Sequence, residues 1–396
     1  MQHRPSRRVS VPALIVFCLL ALALVVLVAV RAVSVNNAES AETLAPAASE
    51  TPVPPTSGPE LTPEPSAAST AEPTATPEPT PEPSPEYFTI SMVGDCTLAE
   101  AKTRRGWGTA LQTVVGKNYD YPFAKTVQYF EKDYLTIANL ECNLSDKYYD
   151  SIEQFVFLAP ADYANILTAG SVEFVTLGNN HVEDYGEQGY ADTKATLDEA
   201  GIGYAGRDEY TIYETESGLK IGVYAVSFGK VSQIQAGIAA LKEAGAEFII
   251  AALHWGDEGS YDVNSLQLEQ GHAAIDAGAD VVYGSHPHTL QPVEVYNDHY
   301  IFYSMGNWSF GGNTNPRDKD TVIAKLEVTR DTDGSVSVTN VKLIPCASSG
   351  VVDGNNYQPV PYEEGSEEYE RTISKLEGSF TGADLTIPYE YGFNEY

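Results

Sequence analysis

The chain has 396 residues, with 23 Lys+Arg against 55 Asp+Glu and a formal charge of −32. That balance lacks the basic face that phosphate neutralisation demands, which argues against DNA or RNA as a partner. Four Cys in this length do not make a disulfide scaffold, and the roughly 310 residues after position 86 are enough to bury one core or two.

Residues 1–31 are basic and apolar and contain no acid. Arg4, Arg7 and Arg8 precede an apolar run from Val11 to Val30 that only Pro12 and Cys18 interrupt. Its length matches the ~20 residues that cross a ~30 Å hydrocarbon core and exceeds the ~7–15 of a signal-peptide core. The reading is a basic cytoplasmic N-terminus over 1–10 and an uncleaved transmembrane anchor over 11–31, with the rest of the chain extracellular. A cleaved signal peptide is the alternative. Residues 32–86 read as a disordered linker. From Thr51 to Glu86, twelve of 36 residues are Pro, interleaved with Thr and Glu and without an aromatic. Such a segment cannot bury enough surface to offset its ordering entropy, and it favours an extended spacer of ~3.1 Å per residue.

From Tyr87 onward the pattern is α/β. Short β-rich runs occur at Tyr87–Val93, Leu135–Ala138, Phe174–Leu177, Lys220–Val226, Phe248–Leu253, Asp280–Tyr283, Tyr300–Ser304, Thr321–Val328 and Ser335–Leu343. Helical patterns lie between several of them. Pro122–Lys132 and Pro160–Ala169 open with Pro in the first turn, while Glu187–Ala200, Ile234–Ala244 and Asn264–Ala277 each end at a Gly suited to a left-handed cap. The last strands follow one another without room for helices. Alternation followed by consecutive strands predicts a sheet sandwich with helices outside, over 87–350. The acidic, Tyr-rich extension 351–396 is expected to pack on the surface of that domain.

Five strand ends share one grammar, an apolar run and then an abrupt ligand-type side chain. They are Val93-Gly-Asp95, Ala138-Asn139-Leu-Glu141, Gly178-Asn179-Asn180-His181, Leu253-His254-Trp255 and Gly284-Ser-His286-Pro-His288. In α/β sheets, ligands bind where loops converge at the carboxyl ends of strands. A mixed O/N donor set of this kind suits borderline divalent ions such as Mn²⁺, Zn²⁺ or Fe better than soft thiolate chemistry. Each element alone is as readily structural, but their joint occurrence points to a metal site. His286 and His288, at i and i+2, are expected to point the same way from an extended segment.

These motifs, with Asp184-Tyr-Gly186, Gly278-Ala-Asp280 and Tyr303-Ser-Met-Gly306-Asn307, resemble the CapA family of capsule and poly-γ-glutamate synthesis proteins over about Phe88 to Phe310. That family is similar in architecture to the calcineurin-like metallophosphatases. The resemblance implies an α/β/β/α β-sandwich flanked by helices and a pair of divalent metal ions. It implies Asp95 and His288 on the first metal, Asn180, His254 and His286 on the second, and Glu141 bridging both. It also implies His181 as the general acid, oriented by Asp184. The physical rationale is a two-metal clamp on an in-line displacement, with a water-derived nucleophile available near neutral pH.

Two residues depart from the wider pattern. Thr97 stands two residues after Asp95 where the superfamily has His, and Glu141 stands where it has Asp. The first metal therefore has one imidazole fewer, which weakens the case for catalysis more than the case for metal binding. The other candidates have plainer readings. His272 reads as a packed or half-exposed helical residue and His299 as a solvent-facing turn residue. Trp255 and Trp308 read as core or as a substrate wall, and Asn307 as a turn former or a site contact. Cys96 and Cys142, each directly after a predicted ligand, are expected near each other, as packed thiols or as a disulfide, with a metal role for Cys96 as the third reading. Three functions fit: a hydrolase cleaving a phosphoester or amide in an anionic capsule or envelope polymer, a metal-binding assembly factor working with membrane synthesis-complex proteins, and a stalked adhesin.

Overall fold

In a computed structural model the described residues are 84–147, 151 and 153–385. The expected N-terminus, membrane anchor, nearly all of the linker and the last eleven residues lie outside them. Among the described residues, no helix is long and apolar enough to cross a membrane.

The order begins β1 (Glu86–Thr97), α1 (Leu111–Val115), β2 (Leu135–Leu140), β3 (Asn143–Leu144), β4 (Leu158–Ala159), α2 (Ala164–Ala169) and β5 (Phe174–Thr176). It continues with α3 (Gly186–Ala200), β6 (Gly203–Ala205), β7 (Glu209–Glu214), β8 (Lys220–Ser227), α4 (Val231–Glu243), β9 (Phe248–His254), α5 (Ser265–Ala277) and β10 (Val281–Ser285). It closes with β11 (Val293–Tyr296), β12 (His299–Phe302), β13 (Asn307–Phe310), β14 (Asp320–Arg330), β15 (Val336–Ala347), β16 (Val360–Pro361) and α6 (Glu367–Leu376).

Two large sheets form. One runs β16-β15-β14-β1-β2-β5-β6, with β13 also paired to β1; the other runs β11-β12-β10-β9-β8-β7. Each has a parallel centre, β1-β2-β5-β6 in the first and β8-β9-β10-β12 in the second, so the carboxyl ends within each centre share a direction.

Strand periodicity explains the layers. Along β8, Ile221, Val223 and Ala225 enter the layer between the sheets, while Tyr224 and Val226 enter the layer under the helices. Along β9, Ile250 and Ala252 face inward, and Ile249, Ala251 and Leu253 meet Ile234, Ile238 and Leu241 of α4 and Ala274 and Ile275 of α5. The first sheet divides likewise. Ile90, Met92 and Ile137 join the central layer, and Ala138, Leu140 and Val175 pack with Ile166 and Leu167 of α2 and Leu197 of α3. Strands buried on both faces read as continuous apolar runs. The result is the expected four-layer α/β/β/α arrangement.

One helix expectation is corrected. Pro122–Lys132 forms two 3₁₀ turns, Tyr121–Phe123 and Val127–Tyr129. Thr126 leaves the helical region at φ −128°, and its hydroxyl donates to the Phe123 carbonyl, so a local bond competes with helix propagation. Phe123 and Phe130 still bury themselves, against Trp308. The extension after Val351 carries α6, whose Arg371 and Lys375 reach Asp320 on β14, and Tyr357, whose hydroxyl donates to the Thr109 carbonyl.

Candidate metal centre

The site begins with two close backbone approaches. A Cβ on Gly94 would overlap the Gly306 carbonyl, and one on Gly284 would overlap the Tyr303 carbonyl. The segment Tyr303–Asn307 can therefore thread past both strand ends, and the Asp95 N–H donates to the Gly306 carbonyl at 2.9 Å. Across the sandwich, the buried Tyr283 hydroxyl donates to the Val93 carbonyl at 2.6 Å, tying the two sheets together just before their ligand residues.

On the first sheet an amide ladder sets positions. Asp95 is in register with Asn139, whose Nδ2 donates to Asp95 Oδ1 at 2.8 Å. Asn139 Oδ1 accepts from Thr176 (3.1 Å) and Asn179 Nδ2 (3.0 Å), and Asn179 Oδ1 accepts the His181 N–H at 3.1 Å. On the second sheet, His254 is in register with Ser285, and its Nδ1 lies 2.9 Å from Ser285 Oγ. That leaves His254 Nε2 facing Asn180 Oδ1 at 2.7 Å, His286 Nδ1 at 3.1 Å and Glu141 Oε1 at 3.4 Å.

His288 Nδ1 lies 2.9 Å from Asn307 Oδ1 and 3.1 Å from Asp95 Oδ2, and its Nε2 is 4.0 Å from Glu141 Oε1. Asn307 Nδ2 also donates to the His288 carbonyl at 3.1 Å, so one amide side chain holds both the ring and the backbone of His288. The expectation of an extended His-Pro-His segment is corrected. His286 and His288 both have positive φ, 99° and 57°, and their rings converge through a strained turn instead of strand alternation.

The six predicted ligands thus come together. Asp95, Glu141 and His288 form one group, and Glu141, His254 and His286 form another; within each, the donor atoms lie within 4.8 Å of one another, and Glu141 is common to both. Asp95 Oδ2 and Glu141 Oε1 are buried and accept no aligned hydrogen bond, despite the nearby imidazoles. Burial pushes Glu141 up to about 8, partly offset by His288. Burial alone would lower His288, but Glu141 and Asp95 lift it to about 10. Burial, reinforced by neighbouring imidazoles, holds His254 and His286 well below the usual range, so both are neutral with lone pairs available. One oxygen of each buried carboxylate without an aligned hydrogen bond, facing convergent neutral imidazoles, is what a divalent cation satisfies, and the donor set fits one.

His181 sits at the edge of this cluster. Its Nδ1 lies 3.0 Å from Asp184 Oδ2, and its ring packs edge-on to Phe157 at 4.7 Å. Asp184 Oδ2 also accepts the Phe157 N–H at 2.7 Å. Burial would lower the imidazole, but the Asp184 carboxylate outweighs it and raises the pKa. Thr97 donates to Glu141 Oε2 at 3.5 Å.

Three neighbours were not singled out from sequence. Ser285 is an ordinary strand residue; Phe228, with φ 46°, packs its half-exposed ring edge-on to His286; Glu258 reaches toward His286 and His288. Glu258 follows an acidic neighbour in a loop, and no periodicity marks it.

Trp255 and Trp308 are core residues, 2% and 0% exposed. His272 pairs with Glu294 at 3.0 Å and stacks on Tyr296. His299 is only partly exposed, because its Nδ1 turns back to the Asp280 carbonyl at 3.1 Å. Cys96 and Cys142 are buried free thiols in the outer apolar layer.

Residues 89–311 match the family described as bacterial capsule synthesis protein PGA_cap. The chain is 33% identical over 192 residues to the PGA biosynthesis protein CapA of Bacillus subtilis (strain 168), spanning 42% of this chain and 49% of that protein. It is 27% identical over 278 residues to the capsule biosynthesis protein CapA of Bacillus anthracis, spanning 61% and 64%. The chain therefore spans about half to under two thirds of the length of these relatives. Among solved structures, the NAD nucleotidase of Haemophilus influenzae aligns with a TM-score of 0.38 and 14% identity, covering 74% of this chain and 63% of that one. The family match extends over more than half of the sequence and contains every predicted ligand, and the chain belongs to the PGA_cap family of bacterial capsule synthesis proteins.

Proposed function

We propose that this protein is a dinuclear metal-dependent hydrolase that cleaves a phosphoester or amide bond in an anionic capsule or envelope polymer, poly-γ-glutamate being the class that the family resemblance implies. The observation that carries the reading is the pair of donor groups sharing Glu141, with the His181–Asp184 pair beside them. Asp95, Glu141 and His288 would hold one ion, and Glu141, Asn180, His254 and His286 the other. Bound divalent ions supply Lewis acidity and a water-derived nucleophile near neutral pH. His181, with Nδ1 held by Asp184, donates a proton from Nε2 to the leaving group.

The chain's own charge would repel a polyanion, but residues 101–119 hold Lys102, Arg104, Arg105 and Lys117 and no acid. Ala101 bridges to Phe157, the ring against His181, and Arg105 donates to Tyr185 at 2.8 Å, so this basic segment borders the acid. The anchor over 11–31 and the linker would keep the head outside the cell, within reach of membrane synthesis-complex proteins.

The second reading is a non-catalytic assembly or export factor, which Thr97 favours because its hydroxyl replaces an imidazole. His181→Gln decides between them. Metal content and folding should persist in both cases, and a hydrolase loses turnover by ~10²–10⁴, least with good leaving groups. Unchanged polymer production with metal retained would move the reading to the assembly factor. Loss of metal equal to that in His286→Ala would refute the assignment of roles.

A further inference from the structure

The donor groups leave the first ion poorly supplied, with two carboxylates and one imidazole, while Thr97 turns its hydroxyl to Glu141. Beside His288 stands Glu258, four residues beyond the end of β9. Its carboxylate and donor nitrogens of His286 and His288 all lie within 4.8 Å of one another. This nearness is built in. The Gly259 N–H donates to the Pro287 carbonyl at 2.8 Å, pinning the Glu258 loop to the turn that carries both imidazoles. Thr289 and Gln291 donate to the Ser260 carbonyl at 2.9 and 3.1 Å, and the Leu385 N–H donates to the Gly259 carbonyl at 2.8 Å. Gly256 and Gly259, at φ 85° and 75°, let the loop turn back on itself. The loop is thus fixed from the histidine turn, from the segment that leads out of it toward β11 and from the C-terminal extension.

We propose that Glu258 is a further metal ligand, a third carboxylate that takes the place of the imidazole absent at position 97. The proposal rests on the metal reading above. Asp95, Glu141, Glu258 and His288 would make an oxygen-rich set, which suits Mn²⁺ better than it suits the softer preferences of Zn²⁺. It also gives the C-terminal extension a part in the centre, since Leu385 and Asp384 hold the loop that presents the carboxylate.

The test is calorimetric titration of the purified full-length chain, stripped with a chelator, with Mn²⁺ and separately with Zn²⁺. Glu258→Gln should weaken Mn²⁺ at one site by at least the ~10–100-fold that loss of a mere outer-shell partner costs, and weaken Zn²⁺ less. Asp257→Asn removes the same charge one residue away, from a carboxylate engaged with Asn264, and should leave both titrations unchanged. Melting curves in chelator, matched between Glu258→Gln and wild type, establish that the fold persists. A Glu258→Gln titration that superimposes on wild type, in a chain that binds two ions, overturns the role of Glu258 alone. A wild-type chain that binds neither ion overturns the metal reading as well.

Discussion

Asp320→Asn should loosen the C-terminal extension and destabilise the whole domain. Asp320 opens β14 with its side chain 0% exposed. Its Oδ1 accepts from Arg371 (2.7 Å) and Tyr362 (2.8 Å), and its Oδ2 accepts from Arg371 Nε and Lys375 Nζ, both at 2.7 Å. Breaking one side of a buried ion pair costs ~3–5 kcal/mol, because the partner charge stays buried. Arg371 is 42% exposed, so its share is largely screened, and Lys375 keeps Asp318 at 2.7 Å. The lower end, about 3 kcal/mol, is therefore expected, or on the order of 5–10 °C in Tm. Thermal melts, limited proteolysis after Val351 and a double-mutant cycle with Lys375→Met read this out.

The pH dependence has a defined sign. Burial alone would raise the Asp320 carboxyl, but Arg371 and Lys375 outweigh it and hold it below the ordinary range. The ionised carboxylate is favoured in the folded state. Its contribution is complete above the unfolded pKa of ~3.9 and disappears as pH falls through the folded value. The gap between wild type and Asp320→Asn should therefore close in acid and stay constant near neutrality. A variant melting within about 1 °C of wild type, or a gap that widens as pH falls, would refute the reasoning.

Gly94→Ala should cost at least the ~1–3 kcal/mol of overpacking, since the new methyl meets rigid backbone at Gly306; a wild-type melting temperature would exclude that close approach. Cys96 and Cys142 should resist maleimide in the native protein and react after denaturation without reductant. Burial pushes Cys96 up to about 12 and Cys142 higher still, and protection that survives denaturation would reveal a disulfide instead. Protease added to intact cells should release a soluble head by cutting between residues 32 and 86, and full-length protein in the cytoplasmic soluble fraction would refute the anchor and its orientation.

The strands that deliver Asp95, Glu141, His254 and His286 were legible because each is a largely apolar run with a ligand-type side chain at or just beyond its end, a pattern that burial on two faces writes into local sequence. The caps of α3 and α5 were legible too, because Gly201 and Gly278 adopt the left-handed conformation that glycine allows without strain. Local order stopped being a guide where distant groups competed. Phe123 and Phe130 follow helical spacing, yet Thr126 breaks the helix and Trp308, far along the chain, still receives both rings. His286 and His288 meet their partners only through a strained turn held by Asn307, and Glu258 approaches them through a loop pinned from position 385. Sequence by itself determined the layers and the residue types delivered to one end of the sheets, since propensity and periodicity act over a few neighbouring residues. Only the tertiary structure decided which donor atoms face one another, because distances across a sandwich follow from how two sheets and their crossing segment pack.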